Sequence, residues 1–497
     1  MINNKIKNIG LATLLTASVF SCKTNLDINV DPNNPTLVTA QASLILPAAL
    51  QNTANFYNRP ATNNNTFAFA SIWLGHSSFS GNFFISQEAL NYTLTTNFGE
   101  GAWTIANDNN TDYDLIQKLG AAKGNPMYEG IGKLMKAYNY QTLVDLYDNI
   151  PYTEAQQGAV NPTPKYDNGK AVYEALMTEI ESATTLIKNS VAGSVGTDDI
   201  MFKGDKDKWV RFANTVKLRM LLRQSEKADR QAYITAKLAT ISGGFVNANV
   251  TINPGYLNSD GKQNGIWRSF HTATGTYNGD FYRAGGYTVN FMKNNNDPRI
   301  SRLYKPNGSG NYVGGFLGAP GIPNGGQTGT SEFGPGLLQG PTQDAVLMTA
   351  AESYFLQAEA ALKPYAIGTP AISGDAKALF QAGVNASFAY LGASGAAIYM
   401  AQLGNKQVNW DATSSTAEKL ALIIRQKFLA LSMINVLETY NDYRRLGLPA
   451  DVPLSQQAGA NRIPNRLLYP QREYDVNGAN VSAQPAVTAN SKIWWMP

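Results

Sequence analysis

The feature that most constrains the fold is a helical pattern of small and apolar residues over long parts of the chain. From Leu347 onwards such residues recur with a period of about 3.6, as an α-helix requires, at Ala350, Ala351, Tyr354, Phe355, Ala358, Ala361 and Leu362. Similar patterns begin at Ile131, Val172, Trp209 and Leu420. Turns with a proline, such as 148–151, separate them. The sequence therefore predicts an all-α fold of helical hairpins over residues 37–57, 126–240 and 343–445.

The remaining segments have a composition that predicts long irregular loops with minor β-structure. Residues 58–125, 243–342 and 446–497 are rich in Gly, Asn, Pro, Ser and aromatic residues, as in the stretch GGYTVNFMKNNNDPR. Loops of this length are uncommon in compact domains unless they serve a function. The predicted hairpins are similar to tetratricopeptide units in size, but no fixed repeat period is legible, so we interpret the repeats as degenerate.

The single cysteine lies beside a predicted secretory signal. A basic start, an apolar run from Ile9 to Phe20 and the small residue Ser21 precede Cys22. This pattern is typical of a signal peptide, and the run is too short to cross a bilayer. Three interpretations of Cys22 remain. It is a lipid attachment point, as in the lipobox of bacterial lipoproteins, or an incidental thiol of a secreted protein, or a buried thiol. The context favours lipidation, with residues 1–21 as signal, 22–38 as a lipidated tether and 39–497 as one domain.

Composition and motifs exclude several functions. A net charge of +4 is small for 497 residues and gives no electrostatic case for nucleic acid. The motifs of serine hydrolases, phosphate-binding loops and zinc proteases are absent from the sequence. The two histidines, His76 and His271, are expected to be hydrogen-bonded loop residues. We therefore predict a protein that is not an enzyme and carries no cofactor.

Two sets of acidic residues are candidates for functional sites, one for binding a metal ion and one for catalysing glycoside hydrolysis. The run from Asp108 to Asp114 places oxygen ligands at alternate positions, as Ca²⁺ prefers, but it lacks the glycine and the final glutamate of an EF-hand. The other interpretation of this run is a solvated turn. Asp145 and Asp148 form one pair of neighbouring carboxylates, and Glu352 and Glu359 form another, which a glycosidase would need. Their positions in the helical pattern favour helix-end and helix-surface carboxylates.

Aromatic residues are concentrated in two of the predicted loops, at 73–103 and 267–287. Flat rings beside amide and hydroxyl groups suit sugar rings, and they suit peptides nearly as well. For each ring, the alternative is that it anchors its loop to the helices. The predicted ligand-binding residues, which would form a shallow platform, are Trp73, Phe83, Phe84, Trp103, Trp267, Tyr277 and Tyr282.

Five stretches, in this order along the chain, resemble the SusD/RagB family of outer-membrane lipoproteins of Bacteroidetes. They are LDINVDPNNPT after Cys22, YNYQTLVDLYDNIPYTEA at 138–155, AESYFLQAEAAL at 351–362, RQKFLALSMINVLETYNDYRRLGLP at 425–449, and the ending from RIPNRLLYP to SKIWW at 462–495. Together they span nearly the whole chain. None is a catalytic signature.

The resemblance implies a tetratricopeptide-like scaffold, a lipid anchor in the outer membrane and a SusC-like TonB-dependent transporter as partner. It also implies a ligand, either an oligosaccharide or a peptide, that is captured at the cell surface. The chain departs from the expected pattern because no acidic cluster follows Cys22, which bears on whether it faces the surface or the periplasm. The resembling stretches look like scaffold, so they carry over no binding residues. A surface glycosidase and a purely structural partner of the transporter are the alternatives.

Overall fold

The structure is a computed structural model that describes residues 40–58, 67–80, 86–319, 326–364, 372, 374–457, 459 and 462–497. The predicted signal and tether, including Cys22, lie outside the described residues, and so do Phe83 and Phe84. Helices dominate the described chain, which confirms the predicted all-α class.

The first half of the chain supplies a series of helices that pack as antiparallel neighbours. Each of the longer helices from α4 to α7 packs against the next in sequence. The helices are α1 (Ala42–Tyr57), α2 (Ala68–Trp73), α3 (Gln87–Asn91), α4 (Glu100–Ala122), α5 (Pro126–Tyr147), α6 (Gly169–Asn189), α7 (Lys206–Arg223) and α8 (Gln231–Ala239).

The second half begins with short helices in the predicted loop region and ends with a second group of packed helices. In that group, α13 packs against α14 and α16. The helices are α9 (Gly265–Phe270), α10 (Gly286–Asn294), α11 (Ile300–Leu303), α12 (Gly326–Gly329), α13 (Ala350–Ala361), α14 (Ala376–Leu391), α15 (Ala396–Met400), α16 (Thr416–Ala430), α17 (Val436–Leu446), α18 (Gln471–Val476) and α19 (Gly478–Ser482).

The described chain contains three small antiparallel ribbons, two of which join distant parts of the sequence. β1 (Ser77–Phe79) pairs with β5 (Tyr282–Ala284), and β4 (Val250–Ile252) pairs with β6 (Ala345–Met348). The third ribbon joins β2 (Ile150–Pro151) to β3 (Tyr166–Asp167). The ribbon of β1 and β5 joins the two loops in which the aromatic residues are concentrated.

Side-chain caps fix where the long helices begin. Asn125, directly before α5, accepts hydrogen bonds from the backbone N–H groups of Met127 and Tyr128, and Pro126 occupies the first helical position. Asp205 before α7 and Thr349 before α13 make equivalent bonds. These caps satisfy backbone donors that have no partner within the helix, so the hairpin turns are set by local sequence.

Glycines allow α4 and α5 to approach each other closely. A Cβ atom on Gly120 would lie 2.3 Å from the backbone nitrogen of Glu129, and one on Gly132 would lie 2.7 Å from that of Gln117. Any larger residue at either position would push the two helices apart. The α4–α5 pair is therefore a tight helical hairpin.

The loop predicted at 58–125 is wrong over residues 100–122, where α4 runs for 23 residues. Asn, Asp and Thr in this stretch have weak helix propensity, which suggested a loop. A buried stripe that includes Trp103, Tyr113 and Leu119 packs the helix onto its neighbours and outweighs that propensity. The run 108–114 is thus helical rather than a solvated turn, and Asp114 pairs with Lys118 and Lys136.

A charged network lies inside the scaffold between α5, α7, α13, α16 and α17. Arg223 Nη2 lies 2.7 Å from Glu438 Oε2, and Arg223 Nε lies 3.3 Å from Asp145 Oδ2. All members are buried. We call this set the buried ion network; its acids are Asp145, Glu352, Glu359, Glu438 and Asp442, and its bases are Arg219, Arg223, Lys427, Arg444 and Arg445.

The network corrects the interpretation of two carboxylates and includes a third. The sequence predicts Glu352 and Glu359 on a helix surface, but both are buried, and Asp145, predicted near a helix end, is buried in the last turn of α5. Glu352 pairs with Arg219, and Glu359 Oε2 accepts a hydrogen bond of 2.9 Å from Arg445. A buried carboxylate is tolerated only when it is paired and hydrogen-bonded. Asp148 does end α5, where its Oδ1 accepts from the backbone N–H of Trp494.

Candidate functional site

The ribbon of β1 and β5 brings the two aromatic loops together. Ser77 lies opposite Ala284 and Phe79 opposite Tyr282. The Phe79 ring packs against Phe281 and Tyr282, with ring centroids 5.2 and 5.7 Å apart. Residues far apart in the sequence therefore lie side by side, and we call residues 73–79 and 267–287 the loop sector.

Two of the predicted binding residues on this side of the molecule are enclosed by protein. Trp73 is 1% exposed; its indole stacks on Phe98, and its Nε1 donates to the backbone oxygen of Ala89. Tyr282 is also buried. In this conformation both rings anchor their loops.

Trp103 lies apart from the β1–β5 ribbon, on α4. It is 6% exposed, its ring stacks on Tyr166, and its Nε1 donates to Glu473 Oε1 over 3.2 Å. Tyr166 donates to the other oxygen of the same carboxylate. The structure therefore places Trp103 in a separate aromatic group with the C-terminal segment.

Trp267 and Tyr277 remain partly exposed and lie together around His271. The Trp267 and His271 rings are parallel, with centroids 3.5 Å apart, and Tyr277 stands perpendicular to His271. Arg283 and Lys305 lie over the Tyr277 ring. His271 Nδ1 lies 3.1 Å from the backbone oxygen of Trp267, so this histidine is a hydrogen-bonded residue as expected.

The second histidine, His76, lies fully buried just before β1. Its Nε2 lies 3.0 Å from Thr439 Oγ1 on α17, and its ring stacks on Phe428. Burial lowers the pKa of His76 to about 3. A neutral imidazole therefore joins the loop sector to the helical scaffold.

A cleft of about 350 Å³ opens beside α10. We call it the amide-lined cleft. Its lining residues come from α10, from the loop before α12, from the loop after α15 and from the segment after α17; they are Tyr287, Asn290, Phe291, Asn294, Asn295, Phe316, Gln407 and Asp451.

Close backbone approaches fix where α10 begins. A Cβ on Gly285 would lie 2.0 Å from the backbone oxygen of Gly75, and one on Gly286 would lie 2.5 Å from the Phe316 ring. The double glycine therefore lets the β5–α10 corner pack directly against the loop after α2. From this start, the helical period leaves Asn290 and Asn294 exposed on one face, while Val289 and Met292 are buried on the other.

Two lining residues of the cleft, Tyr287 and Asp451, form a hydrogen-bonded set with Arg425. Tyr287 Oη donates to Asp451 Oδ1 over 2.6 Å, and Arg425 donates to both residues. The Arg425 guanidinium also lies 4.8 Å from the centroid of the Phe291 ring. Burial raises the pKa of Asp451, but the hydrogen bonds from Tyr287 and Arg425 outweigh burial and lower it. Asp451 is thus held as a carboxylate, and its side chain is 62% exposed.

The chemistry of this cleft suits a neutral ligand with many hydroxyl groups. Asn290, Asn294 and Gln407 are exposed amides that can both donate and accept hydrogen bonds. Phe316 is partly exposed and offers an apolar face. The charge of Arg425 is balanced by Asp451, so little net charge remains to favour an ionic ligand.

Sequence reasoning missed most of this site. Tyr287 belongs to the aromatic loop at 267–287, and the spacing of Asn290 and Asn294 on one helical face was legible in the stretch NFMKNNN. Gln407 and Asp451 are more than a hundred residues further along the chain, and no local pattern joins them to α10.

Two absences hold for the part of the chain that the structure describes. No group of three or more His, Cys, Asp or Glu side chains among these residues is placed to hold a metal ion. Within the same residues, no helix has the length and apolar character that a bilayer span requires.

The described part of the chain is a helical scaffold with elaborated loops, and the amide-lined cleft opens among those loops. Over residues 32–470 the chain matches the family SusD-like_2, described as "Starch-binding associating with outer membrane". The chain belongs to this SusD-like family of outer-membrane nutrient-binding proteins. None of the curated proteins matches the sequence.

Solved structures share the fold at low sequence identity. A SusD-like protein from Bacteroides thetaiotaomicron is 24% identical, with a TM-score of 0.75 over 92% of this chain and 99% of the other. A chitin-binding SusD homologue from Flavobacterium johnsoniae is 22% identical, with a TM-score of 0.73 over 90% and 98%. A SusD homologue from Bacteroides fragilis is 21% identical, with a TM-score of 0.73 over 92% and 99%. These likenesses establish the scaffold.

Proposed function

We propose that this protein captures a neutral oligosaccharide at the outer membrane and passes it to a SusC-like TonB-dependent transporter. The observation that carries the proposal is the amide-lined cleft, where exposed amides, an ionised carboxylate and aromatic faces converge. Sugar hydroxyls pair with amides and carboxylates, and the C–H faces of sugar rings stack on aromatic rings. Membership of the family supports the same assignment.

We assign a role to each predicted aromatic residue according to whether its side chain is exposed or buried. Trp267 and Tyr277, which are partly exposed, are proposed as contact residues at the edge of the loop sector. Phe83 and Phe84, outside the described residues, stay sequence-based predictions. For Trp73, Trp103 and Tyr282, which are buried, we propose a supporting role beneath the loops.

The remaining parts of the proposal concern location. We propose that residues 1–21 are removed, that Cys22 is lipidated and that residues 22–38 tether a single domain, residues 39–497, to the outer membrane, facing the cell surface. The absence of an acidic cluster after Cys22 bears on the orientation alone. Labelling of intact cells with an antibody would detect the protein on the surface if this proposal is right, and only after permeabilisation if it faces the periplasm.

Binding without turnover distinguishes the proposal from the glycosidase alternative. Among the described lining residues, Asp451 is the one carboxylate, whereas glycoside hydrolysis uses two carboxyl groups roughly 5–10 Å apart. The test is an array of neutral glycans and of peptides, probed with the purified protein, followed by analysis of any bound glycan for cleavage. We expect retention of an uncleaved glycan. Retention of peptides alone would assign the protein to the peptide-binding alternative, and cleaved products would make it an enzyme.

The partner is tested separately. Affinity purification of the tagged protein from its own membranes should recover a TonB-dependent transporter. Recovery of the transporter by a protein that binds no ligand would instead support a purely structural role.

A further inference from the structure

A second cleft, of about 520 Å³, lies between α14 and the segment after α15. We call it the Trp410 groove. Its apolar lining residues are Phe380, Ala397, Met400, Ala401, Leu403 and Trp410, and its polar lining residues are Lys377, Gln381, Asn385, Asn409 and Asp411.

The groove combines one aromatic face with a neutral polar rim. The Trp410 ring is partly exposed and packs against Phe380, with centroids 5.4 Å apart. Lys377 Nζ lies 2.7 Å from Asp411 Oδ1, so the opposite charges of the rim are paired with each other. The lining residues therefore offer hydrogen bonds without a net charge among them, and Lys419 Nζ lies 5.6 Å from the centroid of the Trp410 ring.

The Trp410 groove repeats the chemistry of the amide-lined cleft on a second helix. On α14, Gln381 and Asn385 are exposed amides four residues apart, as Asn290 and Asn294 are on α10. In each cleft the amides stand beside aromatic rings and a carboxylate that is paired with a cation, which is Lys377 here and Arg425 there. The two clefts therefore suit the same class of ligand.

One loop separates the two clefts and lines both of them. In the segment 401–411, Gln407 faces the amide-lined cleft, while Leu403, Asn409 and Trp410 line the groove. Gln402 Nε2 donates to the backbone oxygen of Asn295 over 2.7 Å.

Further hydrogen bonds hold this loop on both sides. Asn405 Nδ2 donates to Asn295 Oδ1 over 2.9 Å, and Gln426 Nε2 donates to the backbone oxygen of Gln407 over 3.0 Å. The loop is thus attached to the end of α10 and to α16, so the two clefts keep a fixed relation to each other.

We propose that the Trp410 groove is a second carbohydrate-binding site, which engages the same glycan chain as the amide-lined cleft. The inference rests on the proposed glycan-binding function. A chain long enough to cross the loop 401–411 gains from both sites, because the second contact is intramolecular once the first is made. Short oligosaccharides occupy one site at a time.

The test is calorimetric titration of the full-length protein in detergent with neutral glucan, chitin, xylan and mannan series, from disaccharide to octasaccharide. We expect wild-type affinity to rise with chain length, and Trp410→Ala to lower affinity for the longest bound oligosaccharide by at least about tenfold while affinity for the shortest bound one falls far less. The double variant Gln381→Ala with Asn385→Ala changes only exposed residues of α14, so it tests the same site without removing the Trp410–Phe380 contact. Ile398→Ala, on α15 and 81% exposed, is the matched control and should behave as wild type.

The outcomes separate this inference from the proposed function. Wild-type binding that is unaffected by both groove variants at every chain length would overturn the second site and leave the first intact. Binding of no glycan in the panel would overturn the proposed function, and the second site with it. If peptides retained on the array are titrated in the same way and their binding is lost in Trp410→Ala, the groove serves another class of ligand and the inference is overturned.

Discussion

In the helical scaffold, charged side chains are buried and paired with one another, whereas in the amide-lined cleft the amides of Asn290, Asn294 and Gln407 are exposed. Arg445, for example, contacts Glu359 and Asp442 inside the scaffold, and all three are buried. Asn290 and Asn294 line the cleft from the exposed face of α10. Buried charges must be satisfied by the fold itself, while exposed amides can be satisfied by a ligand. The comparison predicts that scaffold variants lose stability and cleft variants lose binding.

The largest effect is expected when one partner of the buried ion network is removed. Arg445→Ala leaves Glu359 buried without its cation, which should cost about 3–5 kcal/mol of the free energy of unfolding. Urea denaturation followed by circular dichroism measures this loss. The control is Lys170→Ala, because Lys170 and Asp229 form a salt bridge whose side chains are 43% and 60% exposed. The Lys170→Ala variant should lose at most about 1 kcal/mol of the free energy of unfolding. Equal losses in the two variants would contradict the distinction between buried and exposed pairs.

The next effect is a pH dependence at His76, where the loop sector meets the scaffold. The pKa of His76 is lowered from 6.5 to about 3 by burial, so between these values the unfolded chain binds a proton that the folded protein does not. The stability contributed by the neutral imidazole is therefore lost as the pH falls below about 6.5, and from pH 7 to pH 5 the loss is about 2 kcal/mol.

Replacing His76 separates its contribution to the pH dependence of stability from the contribution of Asp and Glu residues, which also take up protons on acidification. Denaturation midpoints of wild type and His76→Gln should be compared at both pH values, and the variant should lose about 2 kcal/mol less than wild type on acidification. An identical pH dependence in the two proteins would show that His76 can be protonated in the folded state.

The scaffold was predictable because its helices depend on local periodicity. The stripes from Ile131, Val172 and Trp209 are buried as expected. The charges within the same helices were not predictable, since the partners of Asp145 or Glu352 lie on other helices. Glu438 illustrates the point: burial raises its pKa, but Arg223, Arg219 and Lys427 outweigh burial and lower the pKa to about 2.

For the candidate site, the sequence predicts only a region, and whether the aromatic loops bind a ligand stays a prediction. Aromatic loops indicated a binding region, and the β1–β5 ribbon does join the two loops. Which rings stay accessible depends on packing over the whole molecule: Trp73 is enclosed by Phe98 and Tyr92, while Trp267 has His271 on one face and remains partly exposed. The sequence alone does not show which aromatic rings are enclosed, as Trp73 is, and which remain partly exposed, as Trp267 does.

The smallest effects are expected at the cleft, and there they should appear in affinity alone. Asn290→Ala or Asn294→Ala removes an exposed amide that can exchange its hydrogen bonds to water for hydrogen bonds to a ligand, so each should weaken glycan binding by about 1 kcal/mol, or roughly fivefold in Kd. Stability should change by less than about 0.5 kcal/mol, because both side chains lie on the exposed face of α10. Lys293→Ala is the matched control, since Lys293 is exposed on the same helix and does not line the cleft. Calorimetric titration and denaturation of all three variants measure the two quantities. A loss of stability without a loss of affinity would place Asn290 and Asn294 with the scaffold and move the binding site elsewhere in the loop sector.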